Sequence, residues 1–231
     1  MQTNGIPHLF LTNTTSKDRV ALSEKLLRMG IRAAESEILT PGAAAAEWLR
    51  AAPAGEIALF VRPQARREFA GLRYVADDAE HGASYVVVGD LAEQWDYRTL
   101  NRAFRLLHNN PEAKLIALGM TRYWLASDGL SLDVAPFVVA LEHAAGRQAL
   151  VFGKPSARFF LAGAERLGLA AAQVLMIGDD IDADIGGAQS AGLKGALVKT
   201  GKFRPADLTG PIRPDAVLDS IADVPAWWDR S

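Results

Sequence analysis

The sequence predicts an α/β protein: a mostly parallel sheet with crossover helices, into which a second α/β segment is inserted. Three observations point there. Short apolar runs of strand length alternate with stretches of helix length along the whole chain. One run, Val174-Leu175-Met176-Ile177, is continuously apolar, as a strand covered on both faces of a parallel sheet requires. The polar residues that carry chemistry cluster where strands end and helices begin, which is where open α/β sheets bind ligands.

The elements follow in order. Asn4-Gly5 is turn chemistry, and His8-Leu9-Phe10-Leu11 after it reads as a buried strand. Ser16 can cap a helix in which Leu22, Leu26 and Met29 share a face and Gly30 supplies the stop. A second helix runs over Pro41–Ala51, with Pro41 in its first turn and Ala52-Pro53-Ala54-Gly55 behind it. Residues 57–61, 85–88 and 114–118 read as strands. A helix over 96–108 sets Tyr97, Leu100, Phe104 and Leu107 along one stripe, and another over 134–145 leads to Gly146. Residues 54–147 therefore read as the inserted α/β domain, and 1–53 with 148–231 as one discontinuous core.

The core resumes with a helix from about Ser156 to Gly168 that offers Phe159, Phe160 and Leu167 for packing. The apolar run 174–177 is expected to be a central strand; it ends in Gly178-Asp179-Asp180, and a helix begins near Asp182 and stops at Gly192. Ala196-Leu197-Val198 supplies one more strand before Lys199-Thr200-Gly201-Lys202.

Composition narrows the function classes without choosing one. With 231 residues, 49% of them hydrophobic and 23% charged, the chain can bury a core of one large or two modest domains. A formal charge of -2 with scattered basic residues gives no footprint for nucleic acid. The absence of cysteine excludes disulfides, thiolate zinc sites and cysteine nucleophiles, which fits a reducing compartment, so a cytoplasmic location is expected. His8, His81, His108 and His143 show no metal-ligand spacing. The polar start and the short apolar run after it resemble neither an export signal nor a membrane span.

Three segments can carry chemistry. Thr12 and Asn13 end a strand, and the amides of Thr14, Thr15 and Ser16 would open the following helix, a place for phosphate oxygens or for plain N-capping. Lys154 in Gly153-Lys154-Pro155 could neutralise a phosphate or be a surface lysine. Asp179 and Asp184 flank a strand-to-helix turn, where two carboxylates can hold magnesium. The crowd at Asp179, Asp180 and Asp182 needs a cation or a helix N-terminus to offset its repulsion, and helix capping alone would serve Asp182 better than Asp179. Gly89-Asp90 also closes an apolar strand but has no second carboxylate at that spacing, so Asp90 reads as a turn residue or a contributor from the insertion. Gly186-Gly187-Ala188 reads as close packing inside a helix. Lys199-Thr200-Gly201-Lys202 has the look of a phosphate loop in the wrong framework.

Leu11 to Lys17, Val151-Phe152-Gly153-Lys154-Pro155, and Met176 to Asp180 with Asp184 to Ala188 resemble the second, third and fourth motifs of the haloacid dehalogenase-like hydrolases, class IIA, which carry a C2-type cap. Asn101 to Leu107, Ser127-Asp128-Gly129-Leu130 and Lys199 to Lys202 further resemble the phospholysine phosphohistidine inorganic pyrophosphate phosphatase branch. The resemblance implies a Rossmann-like core with the insertion as cap, and a magnesium-dependent phosphatase of small phosphorylated compounds. By it, Thr12 and Lys154 would be catalytic, Thr12, Asn13, Thr14 and Lys154 would bind phosphate, and Asp179, Asp184 and Asp180 would serve the metal. Met120 to Trp124 and the segment around Asp90 to Asp96 would face the pocket, and the cap could pair two chains in a homodimer.

In that family the aspartate nucleophile lies in an Asp-x-Asp-Gly motif ending the first, central strand; no Asp-x-Asp-Gly-Thr occurs in these 231 residues. Without that strand, two neighbours would carry unpaired backbone groups costing about 1–3 kcal/mol each, against a usual stability of about 5–15 kcal/mol. The expectation is a truncated chain: Met1 is an internal methionine, Met1 to Asn4 end a lost helix, and the chain as written is inactive. In-frame codons for the motif upstream of Met1 would bear this out. The competing expectation is a non-catalytic relative that binds phosphate compounds or a protein partner.

Overall fold

The computed structural model describes residues 5–126 and 128–228. Met1 to Asn4, expected to end a helix, and Ser127 of the Ser127 to Leu130 stretch lie outside the described residues. By its contacts the chain falls into two units: Phe10–Gly153, and the chain from Lys154 onward together with the residues through Leu9.

In the Phe10–Gly153 unit, β1 (Phe10–Leu11) and β2 (Ile38–Leu39) pair in parallel, with Phe10 opposite Ile38. Between them runs α1 (Arg19–Arg28). It begins later than expected, because Asp18 and not Ser16 is its cap: the carboxylate accepts from Ala21 N at 2.9 Å and from Arg67 Nη1 at 3.2 Å. A carboxylate with a guanidinium beside it is a better partner for the helix N-terminus than a neutral hydroxyl. Leu22 is buried with Ala33 and Ile38, and Leu26 and Phe10 pack on them. Met29 is 65% exposed, because it is the C-cap and has already left the helical face. The second helix, α2 (Pro41–Ala51), lies where expected, with Thr40 Oγ1 accepting from Ala43 N at 3.0 Å.

The middle of this unit is built from β3 (Ile57–Phe60), β4 (Tyr85–Val88), α3 (Tyr97–His108), β5 (Lys114–Ala117), the hairpin β6 (Tyr123–Ala126) and β7 (Gly129–Leu132), α4 (Val134–Ala145) and β8 (Leu150–Val151). Strands β3, β4, β5 and β8 form one parallel sheet in that order, and β6 and β7 pair antiparallel. Ala103, Leu106 and Leu107 of α3 and Val134, Val138 and Leu141 of α4 close a core with Val86, Val88, Leu115 and Ala117. Tyr97 is 84% exposed and drops out of the expected stripe, since it is the first residue after the Asp96 cap. β8 completes this sheet by pairing with β5, Ile116 lying opposite Leu150.

The other unit contains α5 (Ala157–Leu167), β9 (Leu175–Gly178), α6 (Gly187–Ser190), β10 (Lys194–Val198), β11 (Ala216–Leu218) and α7 (Val224–Trp228). Gly168 closes α5 in the left-handed region, φ 68°, where a side chain would be strained. The sheet is parallel with β10 in the middle: Ala196 lies opposite Ile177 on one side and Ala216 on the other. Among the described residues β9 pairs with β10 alone; the apolar run reads as a central strand, and the family's first strand, expected beside it, is the neighbour it lacks. The four residues of β9 are all partly exposed, whereas β10 is buried after Lys194. Among the described residues no helix is long and apolar enough to cross a membrane.

Candidate functional site

Strand β9 delivers Asp179 at its carboxyl end, and Asp180 caps the turn that follows, its Oδ1 accepting from Ala183 N at 2.9 Å. Asp182, expected to sit at the helix start, is exposed and does not cap it. Over Ile181–Gly186 the backbone is wound wider than an α-helix: Ile185 N reaches Asp180 O, five residues back, at 3.3 Å. This winding leaves Asp184 buried, only 4% exposed. There its Oδ1 accepts from Lys154 Nζ at 2.6 Å and its Oδ2 from Asp180 N at 3.2 Å.

Glycines make this approach possible. A Cβ on Gly178 would collide with Asp184 Oδ2 and stand 2.5 Å from its Cγ. One on Gly187 would lie 2.6 Å from the Phe160 ring and 2.8 Å from Pro155 O, so the residue after Lys154 packs directly on α6. The expected close packing at Gly186-Gly187-Ala188 is thus packing against the lysine's own loop. Lys154 keeps 14% of its side chain exposed, which makes it a half of a buried pair and not a lone surface lysine.

A fifth participant, Lys202, comes from the stretch that resembles the phosphatase branch without a role assigned to it. The loop after β10 brings Lys202 N to Asp179 Oδ2 at 2.7 Å and Lys202 Nζ to Asp180 Oδ2 at 2.9 Å. Gly201 has φ 56°, and a Cβ there would collide with Asp179 Oδ2. Burial works to raise the Asp180 pKa, but hydrogen bonds from Lys202 and Ala183 outweigh it and hold the carboxyl below its usual range. The same hydrogen bond raises the Lys202 ammonium. The signal that could have found Lys202 is the adjacency of β9 and β10: parallel neighbours end side by side, so the loops after them must meet.

Thr12, Asn13 and Thr14 belong to the Phe10–Gly153 unit. Thr12 N donates to Leu39 O at 3.2 Å, and Thr12 Oγ1 lies 2.8 Å from Thr14 Oγ1 and accepts from Thr14 N at 3.2 Å. The amides of Thr14, Thr15 and Ser16 do not open a helix, since α1 begins at Arg19. The segment therefore offers hydroxyls and loop amides rather than a helix N-terminus. Gly153 makes room beside it: a Cβ would stand 2.9 Å from Leu118 O and 3.3 Å from Asn13 Oδ1.

The donor set suits a hard cation, with a limit on its number. Among the described residues no three His, Cys, Asp or Glu side chains stand close enough to form a metal cage. Magnesium does not need one: it keeps several waters and takes one or two carboxylates. Asp180 and Asp184 each face an ammonium, whereas Asp179 has one oxygen on a backbone amide and no cationic hydrogen-bond partner among the described contacts. Asp179 is the carboxylate that fits a first ligand.

Two further expectations fall in the Phe10–Gly153 unit. Asp90 is the turn residue it was read as, its Oδ1 accepting from Ala92 N at 2.8 Å while its Oδ2 meets Arg62 Nη2 at 2.9 Å. Trp95 in the adjoining segment stacks between Phe60 and Phe137 and donates to Gly89 O at 3.1 Å. Tyr123 and Trp124, part of the stretch expected to face a pocket, stand in β6 about half exposed, at 53% and 48%.

Comparison with known proteins agrees with the motif order. A family described as haloacid dehalogenase-like hydrolase matches residues 1–74, and one described as HAD-hydrolase-like matches 151–224. A phospholysine phosphohistidine inorganic pyrophosphate phosphatase of Xenopus laevis is 38% identical over 219 residues, 94% of this chain and 78% of the relative. A haloacid dehalogenase-like hydrolase domain-containing protein 2 of Bos taurus is 40% identical over 198 residues, 86% of this chain and 73% of that one. Among solved structures, a p-nitrophenyl phosphatase from Archaeoglobus fulgidus superimposes with a TM-score of 0.86 at 28% identity, covering 96% of this chain and 87% of that one.

Proposed function

The chain belongs to the haloacid dehalogenase-like hydrolases, and from that premise we propose that it carries the phosphate and magnesium frame of a phosphatase acting on small phosphorylated compounds. The observation that carries the proposal is the Lys154–Asp184 pair, 2.6 Å long and almost buried, beside a strand-end Asp179 that hydrogen-bonds a backbone amide and, among the described contacts, no ammonium. A buried lysine needs a reason to be there, and a doubly negative phosphoryl group supplies one.

In this reading Lys154 neutralises a phosphoryl oxygen, and Thr12, Asn13 and Thr14 keep the phosphate-binding role that the family resemblance implies for them. Asp179 holds the cation, with Asp184 and Asp180 keeping it and Lys154 in place. Magnesium bound there would offset charge on the phosphoryl oxygens. Residues 54–147 act as the cap that selects the substrate, and the exposed Tyr123, Trp124, Leu130 and Leu132 of β6 and β7 support a homodimer through it. The substrate is a small phosphate compound; neither nucleic acid nor membrane is a partner.

The nucleophile of the family, an aspartate in Asp-x-Asp-Gly-Thr, is not among these 231 residues. The proposal therefore makes the chain as written a binder that does not turn substrate over. Fusing a strand that ends in Asp-x-Asp-Gly-Thr ahead of Met1 is expected to give magnesium-dependent hydrolysis of p-nitrophenyl phosphate. The unfused chain is expected to show none. A fused chain that folds, binds magnesium and remains inert would favour the non-catalytic reading, and hydrolysis by the unfused chain would refute the assignment of the nucleophile.

A further inference from the structure

The Lys199 to Lys202 loop has no role in the phosphatase reading, yet its contacts converge on Asp179 and Asp180. We infer that Lys202 is the second cation of the phosphate site and the positioning residue for Asp179: its amide aims the Asp179 carboxylate, and its ammonium offsets the charge of Asp180. The inference rests on the phosphatase reading and adds to it how an anion is accepted beside three carboxylates.

The geometry sorts the two parts of the loop. Asp179 Oδ2 is held by Lys202 N at 2.7 Å, and Gly201 at φ 56° leaves no room for a side chain between loop and carboxylate. The ammonium lies 2.9 Å from Asp180 Oδ2, with 74% of its own side chain exposed. Asp179, Asp180 and Asp184 thus face two ammonium groups, Lys154 and Lys202, and the cluster carries a single net negative charge. Without Lys202 it carries two. An incoming phosphate is then repelled more and an incoming magnesium ion attracted more, so loss of the ammonium moves the two affinities in opposite directions. A residue that merely braced the loop would not do that.

The exposure of Lys202 makes its replacement safe for the fold and sets the size of the effect. At a partly solvated site one charge at such distances is worth roughly three- to tenfold in affinity, and less in high salt. The test is titration calorimetry of the 231-residue chain with magnesium chloride alone and with orthophosphate alone. Lys202→Met is expected to tighten magnesium roughly threefold or more and to weaken orthophosphate to a similar degree, with Lys202→Arg returning both towards wild type. Gly201→Ala, which displaces Asp179, is expected to weaken magnesium roughly tenfold and leave orthophosphate nearly unchanged. Affinities that Lys202→Met leaves unmoved, or shifts the same way, overturn the inference while the phosphatase reading stands. A wild-type chain that takes up neither ligand overturns both.

Discussion

Replacing Lys154 by Met removes one half of the 2.6 Å pair with Asp184, and the burial of the two side chains sets the cost. Asp184 keeps 5% of its side chain exposed and Lys154 14%. Removing one member of a buried pair costs about 3–5 kcal/mol because the other charge is left without its counter-ion. Asp184 retains the Asp180 amide and Lys154 is not wholly buried, so about 2–4 kcal/mol is expected for either Lys154→Met or Asp184→Asn. For a chain of this length that is a melting-point drop of roughly 5–12 °C. Removing both charges restores neutrality, so the double variant should lose clearly less than the sum, with a coupling of about 2 kcal/mol. Urea unfolding and calorimetry in chelator-treated buffer measure all three variants. A coupling below about 0.5 kcal/mol would place the pair with ordinary surface ion pairs and remove the argument from burial.

Gly178→Ala puts a methyl group into Asp184, which must leave Lys154 to make room; a loss similar to that of the pair, about 2–4 kcal/mol, is expected, and a variant as stable as wild type would show that Asp184 can move at little cost. Asp215 gives a pH dependence: its carboxylate accepts from Gly195 N at 2.8 Å and Gln189 Nε2 at 3.1 Å, which hold its pKa below the usual value. The folded pKa lies below the unfolded one of about 3.9, so the contribution is full above that pH and fades as pH falls through the folded value. Asp215→Asn should lower the urea midpoint at neutral pH and converge on wild type in acid; a gap constant from pH 7 to 2 would refute this.

The helices and most strands were legible because their signals are local. Pro41 behind Thr40 and Gly146 and Gly168 at helix ends mark boundaries through backbone geometry that no distant contact overrides. The start of α1 was misplaced because Ser16 and Asp18 are both good caps, and the choice falls to Arg67, forty-nine residues away, which no local rule contains. β6 and β7 pair from Ala126 opposite Gly129, whereas Ser127 to Leu130 reads in the sequence as a family motif and not as the link between two strands. Among the candidate residues, Lys154 and Asp184, thirty positions apart, are singled out by motif order, and the structure brings the two together. Motif order gives Lys202 no role, because its part depends on β10 being the neighbour of β9, and sheet order is a tertiary fact.

The acidic cluster also shows why residue type alone could not assign roles. Four carboxylates fall within six residues, and by sequence they compete for the same helix N-terminus and the same cation. The fold separates them by what each one meets. Asp182 is left to solvent. Asp180 caps the turn and takes the Lys202 ammonium, and Asp184 is turned inward onto Lys154. Asp179 accepts from the Lys202 backbone amide and, among the described contacts, hydrogen-bonds no ammonium. The wide turn at Ile181–Gly186 is what divides the cluster, since it is this winding that carries Asp184 to the buried side while Asp182 stays outside. A change that tightened the turn to an ordinary helix would rotate Asp184 away from Lys154, and the cluster would lose its division of labour before it lost any residue.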